Sequence, residues 1–183
     1  MRRSARAFVV VAMVIAGLAA VSSIAGARGR SVAAGDPERL AALAAMDEAL
    51  ARRDFPAAVK AWRQARALAL RSRAWRAPVE TAEAELRLAV ATDRLREAKP
   101  MARELFLLAL FRARVEGAPD GALRAADGFV RLGDRDAAVL ALRIAETVAA
   151  RHGDDEVRAR VRTAADRILR PAADLSRSAQ PGS

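Results

Sequence analysis

The 183-residue chain has no cysteine, no tyrosine and a single histidine. Without a thiol there is no disulfide framework, thiolate metal site, cysteine nucleophile or lipid attachment to cysteine. One histidine, His152, leaves little material for a histidine-rich metal centre. Aromatics make up 4% of the chain against 53% hydrophobic residues, so its core is predicted to consist mostly of Ala, Leu and Val. No stretch alternates with period two, which argues against strands. A Gly-rich phosphate loop, a nucleophile elbow and a spaced Ser/His/Asp set are also missing. These absences point away from an enzyme, and no catalytic, cofactor-binding or metal-ligating residue is assigned.

Acids are outnumbered, with 32 Lys plus Arg against 22 Asp plus Glu. Arg2, Arg3, Arg6, Arg28 and Arg30 fall in the first thirty residues, where there is no acid, and setting them aside lowers the net charge from +10 to +5. Only Lys60 and Lys99 are lysines. Such a preference for Arg, beside so much Ala, reads as a coding bias. Nucleic-acid binders gather their charge on one face, and no nucleic-acid partner is expected.

The first residues read as an address. Residues 1–6 form a basic head, residues 7–24 are almost wholly apolar, and Ala25-Gly26-Ala27 is a small-x-small cleavage site. That order makes a secretory signal. An uncleaved anchor competes with it, because 7–24 is 18 residues, close to the minimum for spanning hydrocarbon. Both readings leave Arg2, Arg3 and Arg6 in the cytoplasm and carry everything after Arg30 across. The domain reading is a signal peptide or signal anchor at 1–27, a linker at 28–35, a helical domain at 36–170 and a disordered tail at 171–183.

Seven helices are predicted beyond the linker. Asp36-Pro37-Glu38 opens the first, which carries Leu40, Leu43, Ala44, Met46 and Leu50 at helical spacing. The second opens at Phe55-Pro56 and carries Val59, Trp62, Ala65, Leu68 and Leu70. Residues 71–76 are a break. The third begins near Pro78, with Ala82, Leu86, Ala89 and Val90 as its stripe. The fourth runs over about 95–115. Its segment 105–111 is apolar all round, which predicts the most buried helix of the set. Residues 117–121 read as a loop, and the fifth helix carries Leu123, Ala126, Phe129 and Val130. Asp134 caps the sixth, which bears Ala138, Val139, Leu142, Ile144 and Val148 and stops at His152-Gly153. His152 there suits a C-terminal cap better than a metal ligand. The seventh has an acidic first turn at 154–156 and a stripe of Val157, Val161, Ala164, Ile168 and Leu169. Trp62, Trp75, Phe106, Phe111 and Phe129 are expected in the core, and Glu83/Arg87 reads as an i,i+4 surface ion pair.

Residues 54–65 align with 134–145 at an offset of 80, and Ala98 lies 40 from both Ala58 and Ala138. A period near 40 with two helices per unit reads as an α-solenoid. The second helix of each unit presents a small residue at a close crossing, then a large one. Asp54-Phe55, Ala58, Trp62 and Ala65 resemble the second half of the tetratricopeptide repeat, and so do Gly133-Asp134, Ala138, Leu142 and Ala145. The first helices fit less well: Ala126 and Phe129 match, whereas Met46/Ala49 and Leu86/Ala89 depart. Leu70, Leu110 and Ala150 stand where the family closes with Pro, and the period exceeds the family's 34. The resemblance implies an all-α fold of antiparallel helix pairs stacked as a short solenoid. A closed four-helix core would instead mark an unrelated bundle.

The same resemblance implies a groove along the first helices, with Asp47, Glu80, Glu83, Arg87 and Asp127 exposed to a partner. The expected function is a non-catalytic, exported or membrane-anchored adaptor for a protein or peptide in the cell envelope, with no cofactor. The membrane would be engaged through 7–24 if the leader is kept. The alternative is an Arg-rich surface, formed by Arg63, Arg66, Arg71, Arg73 and Arg76, that grips anionic lipid or polysaccharide.

Overall fold

The computed structural model describes residues 37–169, and every regular element within them is an α-helix. In chain order these are α1 (37–51), α2 (Phe55–Arg71), α3 (Arg76–Ala91), α4 (Leu95–Glu116), α5 (Pro119–Leu132), α6 (Arg135–His152) and α7 (Asp155–Leu169). The leader at 1–27, the linker, the Asp36 cap, the tail at 171–183 and the His152 side chain lie outside the described residues. No helix of the described residues is long and apolar enough to cross a membrane.

One turn recurs three times at intervals of 40, and a further copy at Gly117, after α4, falls off that period. Arg53, Asp93 and Gly133 are all left-handed, with φ of 57°, 54° and 81°. After each, an amide closes onto a carbonyl five residues back: Asp54 on Ala49 at 2.9 Å, Arg94 on Ala89 at 2.8 Å and Asp134 on Phe129 at 2.9 Å. This 6→1 closure satisfies the orphan carbonyls of α1, α3 and α5. The helices that follow start alike where the sequence allows it. Asp54 accepts from the Ala57 amide at 3.1 Å and Asp134 from the Ala137 amide at 3.2 Å. Arg94, midway between them, supplies no side-chain cap. Arg103 donates to Asp134 at 2.6 Å, and that hydrogen bond is the main reason the Asp134 carboxyl lies below its ordinary value.

Each turn returns the chain alongside the preceding helix, so consecutive helices pack side by side. Contacts reach the next helix but one (α3 with α5, α4 with α6, α5 with α7) and no further among α2 to α7. A closed bundle would join first to fourth. The chain builds an open row instead, in which each unit touches only its neighbours, the arrangement of a helical repeat. Ala58, Ala98 and Ala138 have exposures of 0%, 6% and 0%, so none of the three points into water.

α3 is the shared wall of two cores. Val79, Ala82 and Leu86 join α4, α5, α6 and α7 around Phe106 and Phe129, while Ala84 and Leu88 join α1 and α2 around Met46 and Trp62. Two glycines of α5 allow the closest approaches. A Cβ on Gly128 would lie 2.4 Å from the Phe106 ring, and one on Gly121 would lie 2.6 Å from the Trp75 ring. Gly121 is therefore helical: α5 starts at Pro119, inside the segment that reads as a loop, and the missing side chain makes room for an indole.

Several expectations about faces are corrected. α4 is not the most buried helix, since Phe111 is 65% exposed and Leu107 and Leu108 are only half-buried. α3 and α5, with neighbours on both sides, bury nine and eight residues against seven for the longer α4. Leu40, Leu70, Val90 and Val130 are exposed, and Arg39 takes the inward place on α1. An Ala-rich helix has small apolar residues all round, so the larger side chains do not by themselves mark the buried side.

Candidate functional site

The five residues expected to line a partner groove lie on α1, α3 and α5, and four of them are joined by cross-helix ion pairs. Arg87 of α3 forks onto Asp47 of α1, with contacts of 3.1–3.2 Å. Glu80 receives the buried Arg39 of α1 at 2.8 Å, and Glu83 receives Arg124 of α5 at 2.6 Å. Arg124 also lies 3.8 Å from Glu80. Glu83 and Arg87 thus reach to opposite neighbours rather than to each other, because rungs between helices are available to both. The partners are 40 or 41 residues apart, so the ladder follows the repeat period. Asp127 of α5 is exposed and takes no part in the ladder. On this face the charges mostly hold helices to one another.

The open concavity lies on the other side of α3, between α2 and α4. These two helices run parallel, and the corresponding pair α4 and α6 packs in contact, whereas α2 and α4 make no close backbone approach. Arg112 of α4 bridges them at one end. Its guanidinium donates to the carbonyls of Ala69 and Leu70, each at 3.0 Å, which satisfies the C-terminal end of α2. Burial lowers the Arg112 pKa, opposed by the nearby Glu116. Toward their N-termini the helices part, leaving a groove of about 750 Å³.

Trp62, Val59 and Phe55 of α2 line one wall, and Ala98 and Met101 of α4 line the other. Leu88, Ala89 and Glu85 of α3 also line it. The indole of Trp62 is pinned by donation to the Thr81 carbonyl at 3.4 Å. Arg63, Arg94 and Glu97 also line the groove and are exposed, whereas Glu85 is the half-buried charge of the set. Its Oε2 is shielded from solvent and makes no hydrogen bond, and the Nε of Arg66 is in the same condition. Burial raises the Glu85 pKa, and the charge of Arg66 pulls it partly back. A carboxylate oxygen left this way costs free energy until a donor reaches it.

Sequence reasoning missed this groove. The available signal was Glu85 itself, a carboxylate at helical spacing between Ala82 and the Leu88-Ala89 pair. The Arg set proposed for polyanions does not share one setting. Arg63 lines the groove, Arg66 is half-buried near Glu85, Arg76 lies over the Trp75 ring at 4.9 Å, and Arg71 and Arg73 are exposed. Among the described residues no group of three or more His, Asp or Glu side chains is arranged to hold a metal ion. The chain matches no known family model, no curated protein and no solved structure.

Proposed function

We propose that this protein is a non-catalytic helical-repeat adaptor of tetratricopeptide type, exported or held at the membrane by its leader, that receives a protein or peptide partner between α2 and α4. The repeat reading draws support from the thrice-used turn, the buried alanines at intervals of 40 and the open row of helices. The observation that carries the functional reading is the α2–α4 groove, where Trp62, Val59 and Met101 lie beside the charged Arg63, Arg94 and Glu97 and a carboxylate oxygen of Glu85 has no donor. That chemistry suits a segment that places an apolar side chain against Trp62 and Met101 and brings a cationic or amide donor to Glu85.

The test is site-specific photocrosslinking in intact cells. A photoreactive side chain at Val59 is expected to trap a protein of discrete mass, one at exposed Thr163 of α7 is not, and Glu85→Lys is expected to abolish the Val59 adduct. Equal labelling from both positions would remove the adaptor reading. Export is checked separately by fusing alkaline phosphatase after residue 60, where an inactive fusion would remove that part.

A further inference from the structure

We infer that the end of the row away from the groove, where α4 and α6 reach their C-termini, docks on an anionic phospholipid bilayer. Arg114 of α4 and Arg143 and Arg151 of α6 line one cleft of about 220 Å³ with Ile144, Thr147 and Val148, and no acid is among the lining residues. None of the three arginines forms an ion pair among the described residues. Three guanidiniums that share one cleft, with no carboxylate lining it, suit a polyanionic partner.

The apolar side chains beside them select the kind of polyanion. Phe111 and Val115 are 65% and 71% exposed. They stand four apart on α4 and share one outward face with Arg114. A free phosphate or a sulfated polysaccharide would neutralise the arginines and leave those side chains in water. A bilayer interface takes both, with apolar groups at the acyl boundary and arginines among the headgroups. The apolar run 7–24 ends twelve residues before the described domain, and twelve extended residues reach about 40 Å. An uncleaved leader would therefore keep this face within reach of a membrane. The docking face is remote from the α2–α4 groove and does not depend on the adaptor reading.

The natural absence of cysteine makes the test direct. Full-length protein carrying Thr147→Cys, labelled with an environment-sensitive fluorophore, is reconstituted into vesicles of phosphatidylcholine alone or mixed with phosphatidylglycerol. A blue shift with at least twofold brighter emission is expected only in the anionic vesicles. It should be absent from a Thr163→Cys control and lost in Arg114→Gln/Arg143→Gln/Arg151→Gln. Phe111→Ser, at an exposed position, should weaken it. No response in anionic vesicles, an equal response in neutral ones, or a response to inorganic phosphate or heparin in place of vesicles would each overturn the inference. Unchanged helical circular dichroism in every variant separates lost docking from lost folding.

Discussion

Gly128 reverses an ordinary propensity. In an exposed helix interior, replacing Gly with Ala stabilises by about 1 kcal/mol. Here the added methyl would meet the Phe106 ring at 2.4 Å, and that ring is itself fully buried and edge-on to Phe129. Overpacking of this kind costs about 1–3 kcal/mol. Gly128→Ala is therefore expected to lower the denaturation midpoint, and a midpoint equal to or above wild type would contradict the packing described. Glu85 makes a second residue-scale prediction. Its native pKa is raised above the ordinary 4.5 by burial, so the native state holds the proton more tightly than the unfolded chain. The stability linked to the neutral form is fully present below about 4.5 and is lost as pH rises through the native value. Glu85→Gln is neutral throughout. It should raise Tm at pH 7, with the gain fading as the solution is acidified past that range; a pH-independent gain would point to some other cause.

At the scale of elements, the three equivalent turns differ in their occupants. A left-handed conformation costs a non-glycine residue about 1–2 kcal/mol, and Asp tolerates it better than Arg. The greater freedom of glycine in the unfolded chain returns part of any gain. Arg53→Gly should accordingly stabilise by about 0.5–1 kcal/mol and Asp93→Gly by less, as read from chemical denaturation of both variants. The reverse order would mean that the Arg53 side chain does more than occupy a turn. The same turns show what could be read from the chain alone. Asp54, Asp134 and the alanines at 58, 98 and 138 announce a two-helix unit, because caps and close crossings need particular residues at particular places. Phe111, Val90 and Leu40 mislead, since whether a large apolar side chain on an Ala-rich helix is covered depends on helices distant in sequence. Arg39 misleads in the opposite sense: its inward place requires Glu80, 41 residues away, as a partner. The α2–α4 groove was illegible for a related reason, because no local pattern reports that two parallel helices fail to meet.

For the molecule as a whole, the two cores predict uneven cooperativity. α1 and α2 pack around Met46 and Trp62 and join the remainder mainly through one side of α3, reinforced by the rungs Arg39–Glu80 and Asp47–Arg87, with Met101 and the Arg112 hydrogen bonds as their ties to α4. The larger cluster runs from α3 to α7. A row with nearest-neighbour coupling opens from its weaker end. Hydrogen exchange under mild denaturant should expose amides of α1 and α2 before those of α4, α5 and α6. Simultaneous exposure would mean that α3 transmits stability across both faces without loss. Arg112 carries its own consequence for this row. Two parallel helices tied at one end and parted at the other resemble a pair of tongs, with a single guanidinium as the rivet. A change in the gap at the free tips that keeps those bonds intact turns about that rivet, with α3 as the bed on which both arms lie.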